Sequence, residues 1–436
     1  MSTWVAAPGR ALAGRVRVPG DKSISHRAVM LAALAEGISQ IEGFLDGEDT
    51  RATAAAFAAM GVRIDTEAQT HRRVHGVGLR GLQAPAQPLD CGNAGTGMRL
   101  LAGILAAQAF DSTLVGDASL SRRPMRRVIE PLAAMGAQID AGPGGLPPLR
   151  IHGARRLHAI RYRCPVASAQ VKSCILLAGL YADGETCVLE PHPTRDHTER
   201  MLASFGHRIR SQDSEVALRA AKRLEPAHIQ VPADFSSAAF LAVAATLVPG
   251  SELELERVGV NPRRTGLLQA LQLMGADIAL DRPGMLGAEP VANLRVRHAP
   301  LQGIVVPPAL VPDMIDELPI LFVAAAAARG TTVVTGAGEL RVKESDRIAT
   351  MTQALRALGV DIEERGDGAL IHGRGHFEAG VVDSHGDHRV AMSLAVAAQL
   401  ARGPVRIRQC ANVSTSFPGF LQCAGTAGIQ VDEAVD

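Results

Sequence analysis

The chain is poor in aromatic residues, has no closely spaced cysteine pair and contains no long apolar run. Phe, Tyr and Trp make up 3% of 436 residues, with a single Trp and two Tyr. A core without large rings must be filled by small side chains, which lets helices approach one another closely. The six cysteines, Cys91, Cys164, Cys174, Cys187, Cys410 and Cys423, form no CxxC pair. They read as reduced thiols packed as small hydrophobes. No run reaches 18 apolar residues, and the opening stretch MSTWVAAPGRALAG lacks the apolar region of a signal peptide. A cytoplasmic protein is therefore expected. The formal net charge is only +1, so neither a nucleic acid nor a membrane surface is an expected partner. The length suffices for two domains with a full core each.

What is present is repetition. The stretch Pro19–Gly37, PGDKSISHRAVMLAALAEG, runs from a polar cluster into small apolar residues and stops at a glycine. Asp or Ser suits a helix N-cap, Ala, Leu and Met favour the helix, and Gly ends it. Similar apolar runs follow GNAGTGMR, SAQVKS, DFSS, DELP and DHR. They end near Gly37, Asp111, Gly184, Gly250, Gly330 and Gly403, at intervals of 74, 73, 66, 80 and 73 residues. A fixed period marks internal repeats. A second series keeps step with the first, with glycines at Gly61, Gly136, Gly206, Gly275, Gly359 and Gly428.

The pattern predicts six repeats, each with two helices and several short strands. First-series helices are apolar all round and should be buried, whereas second-series helices mix charge with apolar stripes and should lie outside. Strands alternate with helices, so the class is α/β. Six buried helices exceed one core, which divides them three and three, with a break near HIQVPADFSS. Residues 1–20 read as an extra strand plus connector that pairs with the C-terminal half. Parallel buried helices would present their positive N-termini together, a field suited to a small, multiply anionic ligand.

The polar motifs sit where that field would act. Lys22, Ser23 and Arg27 crowd the first helix start, and Asn93 and Gly95 the second. The glycines do not follow the dinucleotide order, and GDKS lacks the upstream spacing of a nucleotide loop. SLSRRPMRR holds Arg122, Arg123, Arg126 and Arg127, cations that oppose a helix dipole unless an anion offsets them. Asp316 and Glu344 are the candidate base and acid, each placed among cations and partly desolvated. Asp387, His388 and Arg389 adjoin one another, and neighbouring side chains do not easily face one metal ion.

PGDKSISHR, GNAGTGMR, SAQVKS, RVKESDR and DHRVAM, in this order and spacing, closely resemble the 5-enolpyruvylshikimate-3-phosphate synthase family, in its bacterial class II form. The resemblance covers essentially the whole chain. It implies a two-domain inside-out α/β barrel, the enolpyruvyl transferase fold, with six βαβαββ repeats, three per domain. The implied domains are 21–233, and 1–20 plus 234–436, with the active site in the cleft between them. The implied reaction moves the enolpyruvyl group of phosphoenolpyruvate to the 5-hydroxyl of shikimate 3-phosphate and releases phosphate, on the route to chorismate and aromatic amino acids. It needs no metal and no organic cofactor, and a monomer is expected.

Carried over by motif, Lys22, Ser23, Arg27, Ser168, Ala169, Gln170, Arg195, Asp316 and Lys343 would hold shikimate 3-phosphate. Lys22, Asn93, Gly95, Arg123, Gln170, Arg347 and Arg389 would meet phosphoenolpyruvate. Asp316, Glu344 and Lys22 would be catalytic. One position departs from the pattern: Thr415 stands where many members carry a Lys before the final Phe-Pro pair. Gly95 leaves the phosphoenolpyruvate subsite uncrowded, so ordinary sensitivity to glyphosate is expected. Two alternatives are a UDP-N-acetylglucosamine enolpyruvyl transferase and a non-catalytic phosphometabolite-binding repeat protein. The first normally uses a reactive Cys in the loop that here spans Ser119–Arg127, where there is none. The second would not need both Asp316 and Glu344.

Overall fold

A computed structural model describes residues 2–153 and 156–434. The remaining residues of the expected domains, 1, 154–155 and 435–436, lie outside the described residues. Among the described residues there are twelve α-helices, two per predicted repeat. The first series is α1 (Lys22–Leu34), α3 (Gly95–Leu105), α5 (Ala169–Gly179), α7 (Phe235–Leu247), α9 (Leu318–Ala327) and α11 (His388–Ala397). The second is α2 (Glu48–Ala59), α4 (Arg126–Ala134), α6 (His197–Ser204), α8 (Gly266–Leu273), α10 (Arg347–Ala357) and α12 (Phe420–Ala427).

First-series helices are buried nearly throughout: every residue of α7 is buried. Their tight contact uses small residues. A Cβ at Gly103 of α3 would lie 2.3 Å from the carbonyl oxygen of Cys174 in α5, so only glycine lets these two helices meet there. Second-series helices bury one side only. Each ends on its periodic glycine in the left-handed region, as at Gly61 (φ 89°) and Gly136 (φ 97°). The following amide reaches back to the helix, Val62 N to Phe57 O at 3.1 Å and Ala137 N to Leu132 O at 3.0 Å. That is a left-handed helix stop, and it gives the periodic glycines of the second series their structural reason.

Among the described residues the strands form six small sheets, five of four strands and one of three. In the four-stranded sheets a parallel edge strand precedes an antiparallel run, as in His228–Gln230, Glu36–Glu42, His71–Val77 and Arg63–Ala68. The three-stranded sheet keeps a remnant of its missing edge as single parallel bridges, Gln302 to Arg329 and Val305 to Val333.

The N-terminal segment pairs with the C-terminal half, as its sequence predicts. Trp4–Ala6 lies antiparallel between Val405–Arg408 and Val431–Glu433, filling the last place of the sixth repeat. Ala13–Val16 is the parallel edge of the fourth. The lone Trp anchors this closure: Trp4 stacks on Phe420 at 5.3 Å, and Phe417 meets Phe420 edge-on.

The chain forms two compact units. Unit N comprises Gly20–Val231 and Leu286–Glu289, and unit C comprises Met1–Pro19, Pro232–Met285 and Pro290–Asp436. Each has its own apolar core. The short segment Leu286–Glu289 counts with unit N through α6: His197 Nδ1 lies 2.7 Å from Glu289 Oε1, and Arg200 donates to Ala288 O at 3.0 Å.

Candidate active site

The predicted site residues stand at helix starts or in the turns just before them. In unit N, Asp21 caps α1 by accepting from Ile24 N at 2.9 Å, which places Lys22 and Ser23 in the first turn. Lys22 Nζ pairs with Asp49. One turn on, Arg27 is 4% exposed. It donates to Thr198 Oγ1 at 2.7 Å, Ser173 Oγ at 2.8 Å and Ser23 O at 2.9 Å. Burial draws its pKa down to about 10, against the pull of Glu199 and Asp21, while nearby Arg195 pushes the same way as burial.

Gly95 opens α3. Of the four arginines at 122–127, only Arg123 is buried. It donates to Asn93 Oδ1 at 2.5 Å and Ser119 Oγ at 3.1 Å, and Asn93 donates to Asp117 at 2.7 Å. Arg122 and Arg126 are exposed, and Arg126 lies 3.8 Å from Glu130. These two belong to the surface and do not need an anion to explain them. Ser168 caps α5, so Ala169 and Gln170 occupy its first turn. Gln170 is clamped, accepting from Arg99 at 2.9 Å and donating to Thr96 at 2.8 Å.

A buried cluster lies behind this row. Lys172 Nζ sits 2.9 Å from Glu190, 2.8 Å from Glu199 and 3.1 Å from Thr194 O. It thereby ties down the segment that carries Arg195. Burial works against the ammonium, yet Glu199 and Glu190 hold its pKa above the ordinary lysine value. Sequence reasoning missed Lys172, because a lysine inside an apolar helix resembles a surface residue until its partners are known.

In unit C the centre is Arg347, the first residue of α10 and 1% exposed. Its Nε donates to Asp387 at 2.8 Å and its Nη2 to Glu344 at 2.6 Å, and its Nη1 lies 3.5 Å from Asp316. Burial disfavours the charge, but Asp387, Glu344 and Asp316 hold the guanidinium pKa above its ordinary range. Asp387 also caps α11, accepting from Arg389 N at 2.9 Å. Lys343 Nζ lies 3.6 Å from Asp316. Arg389 donates to Asp316 O at 3.0 Å. Asp316 is not a helix cap: the cap position of α9 belongs to Glu317. Asp316 and Glu344 keep 15% and 20% of their side-chain surface open, so a ligand can reach both. Thr415 is buried and donates to Asn412 O at 2.7 Å. The position where a Lys is usual thus presents no polar group outward.

Among the described residues, no three His, Cys, Asp or Glu side chains are placed to hold a metal ion, and no helix is long and apolar enough to cross a membrane.

The family pattern described as EPSP synthase (3-phosphoshikimate 1-carboxyvinyltransferase) matches residues 6–423. The chain belongs to the EPSP synthase family. With the family comes its reaction: this enzyme transfers the enolpyruvyl group of phosphoenolpyruvate to shikimate 3-phosphate in the shikimate pathway. A 3-phosphoshikimate 1-carboxyvinyltransferase of Xanthomonas campestris pv. campestris (strain B100) is 64% identical over 425 residues, 98% of this chain and 97% of that protein. The Xanthomonas euvesicatoria pv. vesicatoria (strain 85-10) counterpart is 63% identical over 431 residues, 99% of this chain and 98% of that protein. The solved EPSP synthase of Acinetobacter baumannii has a TM-score of 0.89 and 48% identity, with full coverage of both chains. The enolpyruvyl transferase NikO of Streptomyces tendae, at 16% identity and a TM-score of 0.79 over 100% of this chain and 99% of that one, shares the fold. The architecture expected from the motifs, an enolpyruvyl transferase fold, is therefore the one present, and the UDP-N-acetylglucosamine alternative is not favoured.

One buried side chain of unit N makes stability depend on pH. His26 is fully buried, with Nδ1 2.8 Å from Thr53 Oγ1. Burial, then Lys22 and Arg27, hold its pKa well below 6.5. The folded protein keeps His26 neutral while the unfolded chain takes up a proton below that value. Stability from this group is therefore complete above pH 6.5 and is lost as pH falls toward the folded value, by up to about 1.4 kcal/mol per pH unit. Denaturant titrations of wild type and His26→Asn between pH 7.5 and 5 are expected to show a shallower slope in the variant. Equal slopes would remove the assignment.

Proposed function

We propose that the family's transfer is carried out here by two sets of residues acting in one reaction. Lys22, Ser23, Arg27, Ser168, Ala169, Gln170 and Arg195 hold shikimate 3-phosphate, joined by Lys343 and Asp316. Lys22, Asn93, Gly95, Arg123, Gln170, Arg347 and Arg389 hold phosphoenolpyruvate. Guanidinium groups suit phosphate and carboxylate because they can bind both oxygens at once, and fixed cations keep both reactants in register. Helix starts add their own unpaired N–H groups.

The chemistry needs a proton at carbon before it needs a nucleophile. Glu344 delivers a proton to the methylene carbon of phosphoenolpyruvate, and cationic character develops at C2. The 5-hydroxyl of shikimate 3-phosphate attacks C2 as Asp316 takes its proton. The tetrahedral intermediate then loses a methyl proton and phosphate, which restores the enol ether on the new oxygen. Lys22 neutralises the phosphate. The observation that carries these roles is that Asp316 and Glu344, both partly open, lie on one buried guanidinium, that of Arg347. A cytoplasmic monomer with small-molecule partners, no nucleic acid, no membrane and no cofactor completes the reading.

Phosphate release tests it: both substrates together should release phosphate and neither alone. Glyphosate should inhibit at ordinary concentrations, and tolerance into the millimolar range would contradict an open subsite at Gly95. A Cβ there would lie 2.8 Å from Arg99 Nη1 and 3.2 Å from Arg123 Nη1. Gly95→Ala should therefore weaken inhibition by about tenfold or more, with some loss of phosphoenolpyruvate affinity.

A further inference from the structure

Glu317 is 1% exposed and sits at the cap position of α9, where its side chain makes no cap bond. Its Oε1 accepts instead from Ser236 Oγ, in the first turn of α7, and lies 3.5 Å from Arg389 Nη1. Ser236 Oγ in turn accepts from Arg264 Nη2 at 2.7 Å, and the same nitrogen reaches Asp234 Oδ1 at 3.0 Å. One hydroxyl donates to Glu317 and accepts from Arg264, which uses its single proton and one lone pair. The chain Asp234–Arg264–Ser236–Glu317–Arg389 is thus a continuous buried polar row that ends on a guanidinium only 12% exposed.

Arg389 has two anchors on this side, the carbonyl of Asp316 at 3.0 Å and the carboxylate of Glu317. A carbonyl alone leaves a long side chain free to swing, whereas a charged partner restricts it and cancels part of the cost of its burial. From this geometry we infer that Glu317 is a positioning residue for phosphoenolpyruvate. Its charge, set beside Arg389, aims that guanidinium at the anionic substrate. This rests on the reading that Arg389 binds phosphoenolpyruvate. It adds a residue outside the set carried over by motif and assigns Glu317 a role distinct from its neighbour Asp316.

A purely structural clamp between the starts of α7 and α9 is the competing explanation, and three variants separate the two. Glu317→Gln keeps an oxygen that accepts from Ser236 but loses the charge facing Arg389. It should raise KM for phosphoenolpyruvate about tenfold, with kcat within about twofold and binding of shikimate 3-phosphate unchanged. Ser236→Ala cuts the clamp and leaves the pairing of Glu317 with Arg389; it should lower Tm and move that KM by less than about twofold. Arg389→Lys should raise the same KM, and adding Glu317→Gln to it should cost less than about twofold more, because the two residues act as one unit. An unchanged KM in Glu317→Gln beside a raised one in Arg389→Lys would overturn the inference alone. An unchanged KM in Arg389→Lys would overturn the Arg389 reading and the inference with it. Additive effects in the double variant would place the action of Glu317 elsewhere.

Discussion

Asp316→Ala and Glu344→Gln are expected to lose turnover on the order of a hundredfold to ten-thousandfold, while shikimate 3-phosphate binding changes by less than about tenfold. Neither carboxylate is a bulk anchor. Each is one of several charges around Arg347, and the cations meant to hold the substrates remain when either is removed. The loss should therefore fall on kcat. Steady-state kinetics and calorimetry of shikimate 3-phosphate binding measure the two quantities separately. In deuterated water the wild type should pass deuterium into the methylene of the product's enolpyruvyl group, and Glu344→Gln should lose this in step with turnover. Near wild-type kcat in both variants would end the acid and base assignment.

Arg347→Met should be the most destabilising single change in the site. It removes the cation from among Asp387, Glu344 and Asp316 and leaves the fully buried Asp387 carboxylate without its guanidinium partner. Breaking a buried pair costs about 3 to 5 kcal/mol. In a unit of this size, 3 kcal/mol corresponds to a fall in Tm of roughly 6 to 12 °C. The pH dependence should also change sign. Burial pushes the Asp387 carboxyl up, but Arg347 outweighs it and holds the pKa below 3.8. In the wild type this stability is present above pH 3.8 and is lost as pH falls through the folded value. Without Arg347, burial dominates and the folded pKa rises above the unfolded one. Acid should then stabilise the variant relative to neutral pH. Asp387→Asn keeps the cap of α11, since Asn caps nearly as well as Asp, so the double variant should recover part of the lost Tm. Thermal melts from pH 4 to 8 decide it, and a variant that melts like the wild type would refute the pairing.

The repeat period was legible because burial and helix stops leave local marks. An all-apolar run such as ILFVAAAAA can only be interior, and Gly61 or Gly136 marks a left-handed stop without reference to anything distant. The placement of the candidate residues was legible for the same reason: Lys22, Gly95, Gln170, Arg347 and Arg389 all stand within the first turns of helices whose starts the sequence displays. The arginine cluster was only partly readable. Charge count treats Arg122, Arg123 and Arg126 alike, and only the fold turns Arg123 inward onto Asn93.

Local chemistry in the sequence therefore determined the class, the six-fold repetition and the helix starts on which the candidate residues stand. The partners of those residues were a matter for the tertiary structure alone. Lys22 meets Asp49, Arg27 meets Thr198 and Arg347 meets Asp387 across 27, 171 and 40 positions. Helix propensity and hydrophobic periodicity act over a few residues and are written in neighbours. The pairing of a buried charge depends on which distant group the packed core brings to it, and no local pattern encodes that distance.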